Sequence, residues 1–373
     1  MEEYQLCKRC VMDTTACEIE FDSDGVCNFC TNYLNNRKKL IKNPNRENEL
    51  NEIVSKIKKE GEKKQYNCII GVSGGTDSTY VAYVVQKLGL KPLAVHLDNG
   101  WDSELAVSNI EKTLEKLDIE LYTYVLDWEE FKSLQKSFLY ASTPDTELPT
   151  DHAIRTILLS AARKHKIKYI INERNFSTEG ILPTSWSYGP FDWKYIKEVH
   201  RIHGNSRLST FPHLDLKSLF FHYAVRRVRD ISILNYVPYH KKEAVKTLES
   251  ELEWRDYGGK HYESIFTRFY QGYILPKKFK IDKRRAHYSV LVAGGQLQRE
   301  DAIKMLEKPA YLYDCVDADK EFFIKKLGLE NDFEKIMNST PKSFNSYRNN
   351  SKIFIMRNSS IYPKIIKWIK RAI

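Results

Sequence analysis

Short apolar runs alternate with longer amphipathic segments through the first half of the chain. The apolar runs predict strands at residues 68–73, 92–98, 120–126 and 169–172. The intervening segments predict helices, the first ending at Leu88 and the others near residues 103–117, 128–139 and 151–165. Because strands and helices alternate, the pattern predicts an α/β fold with a doubly wound parallel sheet. Ligands of such sheets bind beyond the carboxyl ends of the strands.

Polar turns follow three of the predicted strands and should meet at one edge of the sheet. The first turn is Ser73–Ser78, the second begins at Leu97 and Asp98, and the third is Glu173–Asn175. Asp98 could be a turn former or a helix cap. Its place beside the first turn favours contact with a ribose or an adenine, and the same position makes Asn175 a candidate for nucleotide binding.

The first turn has the composition of a phosphate site. It reads Ser-Gly-Gly-Thr-Asp-Ser and directly follows Val72. Glycines let backbone N–H groups close on an oxyanion, and a helix N-terminus adds partial positive charge. Asp77 can hold the Mg²⁺ that accompanies a phosphate. The Gly-Lys-Ser/Thr of a Walker loop is missing. The alternative is a serine-glycine turn capped by Asp77. The remaining candidate nucleotide contacts are Ser73, Gly74, Gly75, Thr76 and Ser78.

Two Cys-x-x-Cys pairs near the N-terminus are separated by 16 residues. Two thiolate pairs at this spacing can close a tetrahedral zinc site, and the sequence Asp22–Gly25 between them predicts a hairpin turn. An iron–sulfur site is the less favoured alternative. A zinc ion with four protein ligands has no open position for chemistry, so we expect a role in stability or docking. The predicted ligands are Cys7, Cys10, Cys27 and Cys30.

The second half of the chain is aromatic and basic between residues 190 and 270, and residues 216–239 predict a buried helix. Two charged stretches interrupt its apolar runs. Gly258-Gly259 requires a tight backbone just before Lys260 and His261. Lys283 and Arg284 precede a predicted helix, whose dipole disfavours cations there unless an anion is bound. Both stretches could instead be solvated charged surface.

The net charge of +10 is concentrated at the C-terminus, because nine cations and no acids follow Glu334. Residues 1–334 are therefore nearly neutral, and no nucleic acid partner is expected. The final residues 361–373 predict an amphipathic helix, which could pack on its own core or dock on an acidic partner or an anionic membrane surface. No signal peptide or membrane span is evident, so we expect a cytoplasmic protein with reduced cysteines.

The Ser73–Ser78 turn resembles the PP-loop of ATP pyrophosphatases, which release pyrophosphate and place AMP on a substrate oxygen. Together with the cysteine pairs, several further phrases resemble the N-acetyl sugar amidotransferases of bacterial surface-glycan and flagellin-glycan assembly. The resemblance runs from Cys7 to about Leu306. The phrases are Asn175–Pro183, Tyr257–His261, Asp282–Arg284 and Gly294–Gln296.

This resemblance implies a PP-loop (HUP-like) α/β domain and an enzyme that converts an acetamido group of a nucleotide-activated sugar to an acetamidino group. ATP would adenylate the amide oxygen, and ammonia would then displace AMP. Asp77 would hold Mg²⁺, and Glu179 would position the amide or accept a proton. Lys260, Lys283 or Arg284 would neutralise phosphate charge.

The resemblance also implies partners, since the chain shows no glutaminase of its own. A separate glutaminase and a synthase-like barrel subunit would supply ammonia, with the ribbon and the basic tail as candidate docking surfaces. The expected regions are a zinc ribbon at 1–34, a helical linker at 35–66, a PP-loop domain at 67–190, a mostly helical substrate-binding region at 191–330 and a basic tail at 331–373.

Two other functions would fit part of the sequence. Some tRNA-thiolating enzymes pair a PP-loop with Cys-x-x-Cys motifs, but they need a further reactive cysteine or an iron–sulfur site. After Cys30 only Cys68 and Cys315 remain, and both are expected in the core. A scaffold with a degenerate ATPase fold is the second alternative, and the intact turn with Gly75 and Asp77 argues against it.

Overall fold

The computed structural model describes residues 3–41, 43–259, 262–311 and 313–351. Lys260, His261 and the tail from Lys352 lie outside the described residues, as does the amphipathic terminal segment. Among the helices of the described part, none is both long and apolar enough to cross a bilayer.

The N-terminal segment forms two small knuckles followed by two helices. Isolated antiparallel bridges join Leu6 to Asp13 and Phe21 to Cys27. The predicted hairpin turn is present, because the Gly25 amide donates to the Asp22 carbonyl at 2.9 Å. Helix α1 covers Asn28–Leu40 and α2 covers Arg46–Gly61. The polar segment after the ribbon is thus mostly helical.

A five-stranded, wholly parallel sheet forms the centre of the molecule, with the strand order β3-β2-β1-β4-β5. Strand β1 lies in the middle and is buried on both faces because helices cover both sides, whereas edge strand β3 is partly exposed. The strands are β1 Cys68–Gly71, β2 Pro92–Asp98, β3 Glu120–Val125, β4 Tyr169–Asn172 and β5 Arg229–Ser232.

Four helices connect the first four strands, and two apolar cores lie on the two faces of the sheet. The connecting helices are α3 Thr76–Lys87, α4 Glu104–Leu117, α5 Trp128–Ala141 and α6 Leu148–Lys164. Strand and helix order confirm the predicted α/β fold with a doubly wound parallel sheet.

The remainder of the described chain is mostly helical. Its helices are α7 Phe176–Glu179, α8 Trp193–His203, α9 Leu216–Phe220, α10 Lys241–Leu252, α11 Ile265–Phe269, α12 Lys283–Gly294, α13 Arg299–Glu307, α14 Tyr313–Leu327 and α15 Phe333–Asn338. Turns of π-helix extend α9 over Phe221–Val225 and α11 over Tyr270–Phe279. Short 3₁₀ turns lie at Ile233–Asn235 and Phe344–Ser346.

The prediction of one buried helix over residues 216–239 is wrong. Arg227 adopts a left-handed φ of 56° and ends the helical stretch. The following residues form β5, which pairs with β4. Phe220 and Phe221 are exposed, so a hydrophobic run was mistaken for a buried helix. Cys315 is also exposed, against expectation, whereas Cys68 is buried as expected.

Candidate active site

The Ser73–Ser78 turn closes on itself between β1 and α3. The Ser73 amide donates to Ser78 Oγ at 3.2 Å, and the hydroxyls of these two serines lie 3.1 Å apart. The Gly75 amide approaches Ser73 Oγ at 3.4 Å. Val72 continues the pairing with β2 through its amide, and Thr76 begins α3. The turn therefore forms a ring of hydroxyl and amide donors at the helix N-terminus.

A segment from the second half of the chain holds this turn in place. The Trp254 indole N–H and the Tyr257 hydroxyl both donate to the Gly74 carbonyl, at 2.8 and 2.9 Å. Tyr257 also accepts a hydrogen bond from Asn109 Nδ2 at 3.0 Å. One of the phrases that carry the family resemblance, beginning at Tyr257, is thus in direct contact with the phosphate turn.

Glu263 lies across the same turn, and sequence reasoning did not select it. A Cβ built on Gly75 would stand 3.1 Å from Glu263 Oε1 and 3.4 Å from Ser73 Oγ. Backbone pairing positions this carboxylate, because Ser264 bridges to Asp102 in antiparallel fashion. A carboxylate beside an anion cradle suits a site where a cation accompanies the phosphates.

A histidine–aspartate pair contacts Val72, the residue just before the turn. His96 on β2 is buried, and its Nδ1 lies 2.9 Å from the Val72 carbonyl oxygen. Its Nε2 lies 3.2 Å from Asp102 Oδ2. Burial lowers the pKa of His96, but Asp102 and the Val72 carbonyl outweigh burial, so the pKa is raised. The imidazole can therefore donate from both nitrogens and join the end of β1 to the Asp102–Ser264 bridge.

Asp77 faces the opposite side of the turn, where the Tyr239 hydroxyl donates to Asp77 Oδ1. Burial and then the Asp77 charge raise the pKa of Tyr239. The charges of Asp77 and Glu179 both act on Glu173 at the end of β4. Desolvation, followed by these charges, raises the pKa of Glu173 although the residue is exposed. These carboxylates therefore lie beside the phosphate turn, beyond the ends of β1 and β4, and we call this region the cleft.

A second acidic group lies at the start of α6 and was also missed. Desolvation, then the charges of Asp145 and Glu147, raise the pKa of Asp151 to about 8, although the residue is exposed. Lys283 and Arg174 act in the opposite direction on Asp151, so both cations lie near it. Lys283 Nζ is 3.6 Å from Glu147 Oε2. The sequence does show three acids between residues 145 and 151, where a helix is predicted to begin. Such a cluster by itself does not distinguish a functional site from a solvated surface.

The two neighbouring cations at the start of α12 have different surroundings. Lys283 faces the acidic cleft through Glu147. The Arg284 guanidinium is bound within its own region, to both oxygens of Asp282 and to the carbonyl oxygens that end α13. Asp282 also caps α12, so the anion expected at this helix start is a residue of the chain itself. The structure brings Lys283, and not Arg284, to the cleft.

The polar residues at the ends of β2 and β4 hold the turns that follow these strands. Asp98 accepts from the Gly100 amide at 2.8 Å, and it lines a cavity of about 300 Å³ together with Lys326. Leu97 is buried behind it. Asn175 caps α7 by accepting from the Thr178 amide at 2.8 Å. Its buried Nδ2 has no hydrogen-bond partner within the described part of the chain.

The four predicted metal ligands form one buried cluster, with every pair of sulfurs within 4.8 Å. Cys7 and Cys30 Sγ are 3.9 Å apart, and Cys10 and Cys27 Sγ are 3.8 Å apart. A tetrahedral ion with metal–sulfur bonds of about 2.3 Å requires sulfur–sulfur edges of about 3.8 Å, so the cluster fits a metal ion. Hydrogen bonds among the sulfurs lower the pKa of Cys7 and Cys10 and raise that of Cys27 and Cys30.

The sequence model of a family described as "LPS biosynthesis protein WbpG-like, C-terminal domain" matches residues 263–360. This part of the chain is similar to that family, and we call the described residues of this range the WbpG-like domain. The match begins at Glu263 and includes Lys283, so the WbpG-like domain contributes side chains to the cleft. Over these residues the match agrees with the resemblance to a surface-glycan family that the sequence indicates. A comparison with curated proteins gave no match.

Three solved structures show a distant likeness. One is an NMN synthetase from Francisella tularensis, with 18% identity over 48% of this chain and 71% of that chain, at a TM-score of 0.28. The second is a predicted tRNA methyltransferase subunit from Methanocaldococcus jannaschii DSM, with 17% identity over 49% and 74% and a TM-score of 0.28. The third is an NH₃-dependent NAD synthetase from Campylobacter jejuni, with 16% identity over 55% and 83% and a TM-score of 0.28. Likenesses this distant say nothing about the activity of this chain.

Proposed function

We propose that this protein is an ATP-dependent, AMP-forming amidotransferase of surface-glycan biosynthesis. It replaces the acetamido oxygen of a nucleotide-activated N-acetyl sugar with ammonia and gives an acetamidino sugar. The observation that carries the proposal is the contact of Trp254 and Tyr257 with Gly74. That contact joins a family-specific phrase to the phosphate turn, beside a domain of a lipopolysaccharide-biosynthesis family.

The reaction balances as two displacements. The amide oxygen attacks the α-phosphorus of ATP and pyrophosphate leaves, which forms an O-adenylated imidate. Ammonia then adds to the imidate carbon, AMP leaves with the former amide oxygen, and one proton passes to a base. Adenylation is required because an amide oxygen is a poor leaving group, whereas AMP is a good one. The enzyme's main tasks are alignment and charge stabilisation.

The residues of the cleft suit these tasks. Ser73, Ser78 and the Gly75 amide offer donors for pyrophosphate. Mg²⁺ would offset the phosphate charge, and Asp77 and Glu263 are the carboxylates beside the turn that could hold it. Lys283 would neutralise phosphate charge of either substrate. The pKa of Asp151, raised to about 8, suits this carboxyl to exchanging protons near neutral pH, beside the Glu179 expected from the sequence.

Zinc is the metal we propose for the four-cysteine cluster, because closed four-thiolate sites at ribbon spacing commonly hold it. Its role is structural, since all four sulfurs would be ligands. We further propose that ammonia comes from a separate glutaminase and a barrel-like conduit. Lys260 lies outside the described residues, and its role in neutralising phosphate charge stays a prediction.

The test is to incubate the protein with ATP, Mg²⁺, high ammonium and a panel of nucleotide-activated N-acetyl sugars, and to analyse products by mass spectrometry. We expect exchange of one amide oxygen for NH, with AMP and pyrophosphate in equal yield. AMP formation that depends on added tRNA and not on any sugar would overturn the proposal in favour of tRNA thiolation. An Asp77→Asn variant serves as the inactive control.

A further inference from the structure

The four-cysteine ribbon is built into the wall of the cleft. Cys30 is part of α1, and Tyr33 follows it by one helical turn. The Tyr33 ring is buried and stacks on Phe176, with centroids 4.7 Å apart and planes inclined by 5°. Phe176 directly follows Asn175, the end of the cleft turn after β4. A rigid chain of contacts therefore runs from the metal ligands to the active-site turn.

Two neighbouring glycines show how closely Tyr33 is enclosed. A Cβ built on Gly180 would lie 2.7 Å from the Tyr33 ring, and one built on Gly294 would lie 3.1 Å from its hydroxyl oxygen. Arg37, one turn further along α1, donates to the Gly294 carbonyl at 3.0 Å. Any tilt of α1 must therefore move the Phe176–Gly180 segment, because interiors this tightly packed transmit displacement.

The ribbon is also fixed from its other side by the WbpG-like domain. Arg299 donates to the carbonyl oxygens of Cys7 and Cys10, at 2.9 and 3.1 Å. Ser289 accepts from the Val11 amide at 3.1 Å. Two of the four predicted metal ligands are thus held by Arg299, the first residue of α13. Ser289 belongs to α12, the helix that begins at Lys283. The ribbon region therefore contacts both α12 and the Asn175–Glu179 turn, which supply residues to the cleft.

A separate contact reaches the loop beyond α7. Glu18, between the two cysteine pairs, accepts from the Ser185 amide at 2.9 Å and from the Ser185 and Thr184 hydroxyls. These hydrogen bonds lower the pKa of Glu18 although burial opposes them. The Asn175–Ser185 segment is therefore in contact with the ribbon at both of its ends.

We propose that the metal centre positions the Asn175–Glu179 turn for catalysis through the stack of Tyr33 on Phe176. Tyr33 is a positioning residue, because it would act through Phe176. The catalytic part of this inference rests on the proposed function, whereas the structural coupling does not. A metal centre that only stabilised its own knuckles would not be stacked against an active-site turn.

The chain offers a matched pair of variants at Tyr33. Its hydroxyl is buried without a hydrogen-bond partner among the residues described, so Tyr33→Phe keeps the stack and removes only an unpaired group. Tyr33→Ala removes the stack and leaves the metal ligands intact. We expect Tyr33→Phe to stay within about twofold of the parent rate of AMP formation, because only an unsatisfied group is lost. We expect Tyr33→Ala to lower kcat by about tenfold or more through misalignment.

Hydrogen–deuterium exchange of the full-length protein tests the coupling without any assay of activity. We expect faster amide exchange over residues 175–185 in Tyr33→Ala, with bound metal unchanged. Removing the metal from the parent protein with a chelator should accelerate the same peptides. If Tyr33→Ala does not fold, Tyr33→Leu and the chelator experiment decide. Exchange over 175–185 that is unchanged by both treatments overturns the inference, whether or not the sugar reaction is found.

Discussion

Gly74 has little freedom at the residue scale. Its φ is +78°, and a Cβ there would stand 2.7 Å from the Ala106 carbonyl oxygen. Gly74→Ala must therefore displace either the turn or α4. We expect its ATP affinity to fall about tenfold or more, because the amides of the turn would no longer face one anion. Equilibrium binding of ATP with Mg²⁺ measures this loss.

Gly189 provides the matched control. Its φ is +92°, but a Cβ there would meet no described atom within 4 Å. Gly189→Ala carries the strain of a left-handed conformation, about 1 kcal/mol, without the steric clash. It should lower stability slightly and leave ATP affinity unchanged. Equal loss of ATP binding in both variants would mean that backbone strain, and not the fit of the turn, controls the site.

Asp151 makes a prediction about pH. Its folded-state pKa of about 8 lies above the usual value near 3.8, so the folded protein retains a proton that the unfolded chain releases. This carboxyl therefore lowers stability progressively as pH rises from about 4 to 8, and its cost is complete above that range. We expect Asp151→Asn to raise the unfolding midpoint at pH 8 by about 2 °C, after allowance for solvent screening, and to have less effect at pH 5.

Thermal unfolding from pH 5 to 9 measures this difference. Asp317→Asn, at an exposed position on α14, is the control and should shift the midpoint equally at both ends of the range. A pH-independent effect of Asp151→Asn would show that the acidic group at α6 does not destabilise the folded state.

The start of α12 makes a prediction at the scale of the element, because adjacent cations there have different partners. Arg284 bonds to Asp282 and to carbonyl oxygens at the end of α13, including Met305 and Lys308. Lys283 faces Glu147 in the cleft. We expect Arg284→Met to lower the free energy of unfolding by about 2 kcal/mol, as hydrogen bonds of a charged group are lost. Lys283→Met should instead lower kcat by about tenfold with stability nearly unchanged.

Urea unfolding and AMP formation, measured on both variants, separate the two effects. A large loss of activity in Arg284→Met at full stability would restore Arg284 to the catalytic group. Equal destabilisation by both changes would place Lys283 in a structural role.

At the same scale, strands were predicted better than helix ends. The β2 and β4 boundaries follow from the sequence because buried parallel strands are short, apolar and bounded by polar turns. Strand β5 was missed, since Arg229–Ser232 pairs only at the sheet edge and carries charge. Periodicity could not reveal this, because pairing with β4 is a non-local contact.

At the scale of the whole molecule, the loop and the metal ligands were predictable, but their surroundings were not. Contiguous motifs such as Ser73–Ser78 carry their chemistry in their spacing. The position of Glu263 beside Gly75 and of Tyr33 on Phe176 joins residues more than one hundred positions apart. One sequence contains no direct record of such contacts. They emerge only when the ribbon and the WbpG-like domain pack around the sheet.

The clearest test of this long-range assembly is the ion pair of Arg285 with Asp13, at 3.0 Å. Asp13 is fully buried, and Arg285 also donates to the Val11 carbonyl at 3.1 Å. Arg285→Met would leave a buried carboxylate without its cation, so we expect a loss of about 3 kcal/mol. Adding Asp13→Asn should recover part of that loss, because the unpaired charge is removed. The pair of the exposed Arg201 with Glu198 is the control, and Arg201→Met should cost far less.

Urea unfolding gives these free energies, and metal release to a colorimetric chelator reports on the ribbon directly. Metal release should be faster in Arg285→Met and close to the parent rate in Arg201→Met, because Arg285, unlike Arg201, joins the knuckle to α12. If Arg285→Met matched Arg201→Met in both measurements, the Arg285–Asp13 pair would not secure the ribbon. The contacts of Arg299 and Ser289, the Tyr33–Phe176 stack and the Glu18 contacts would then have to hold it.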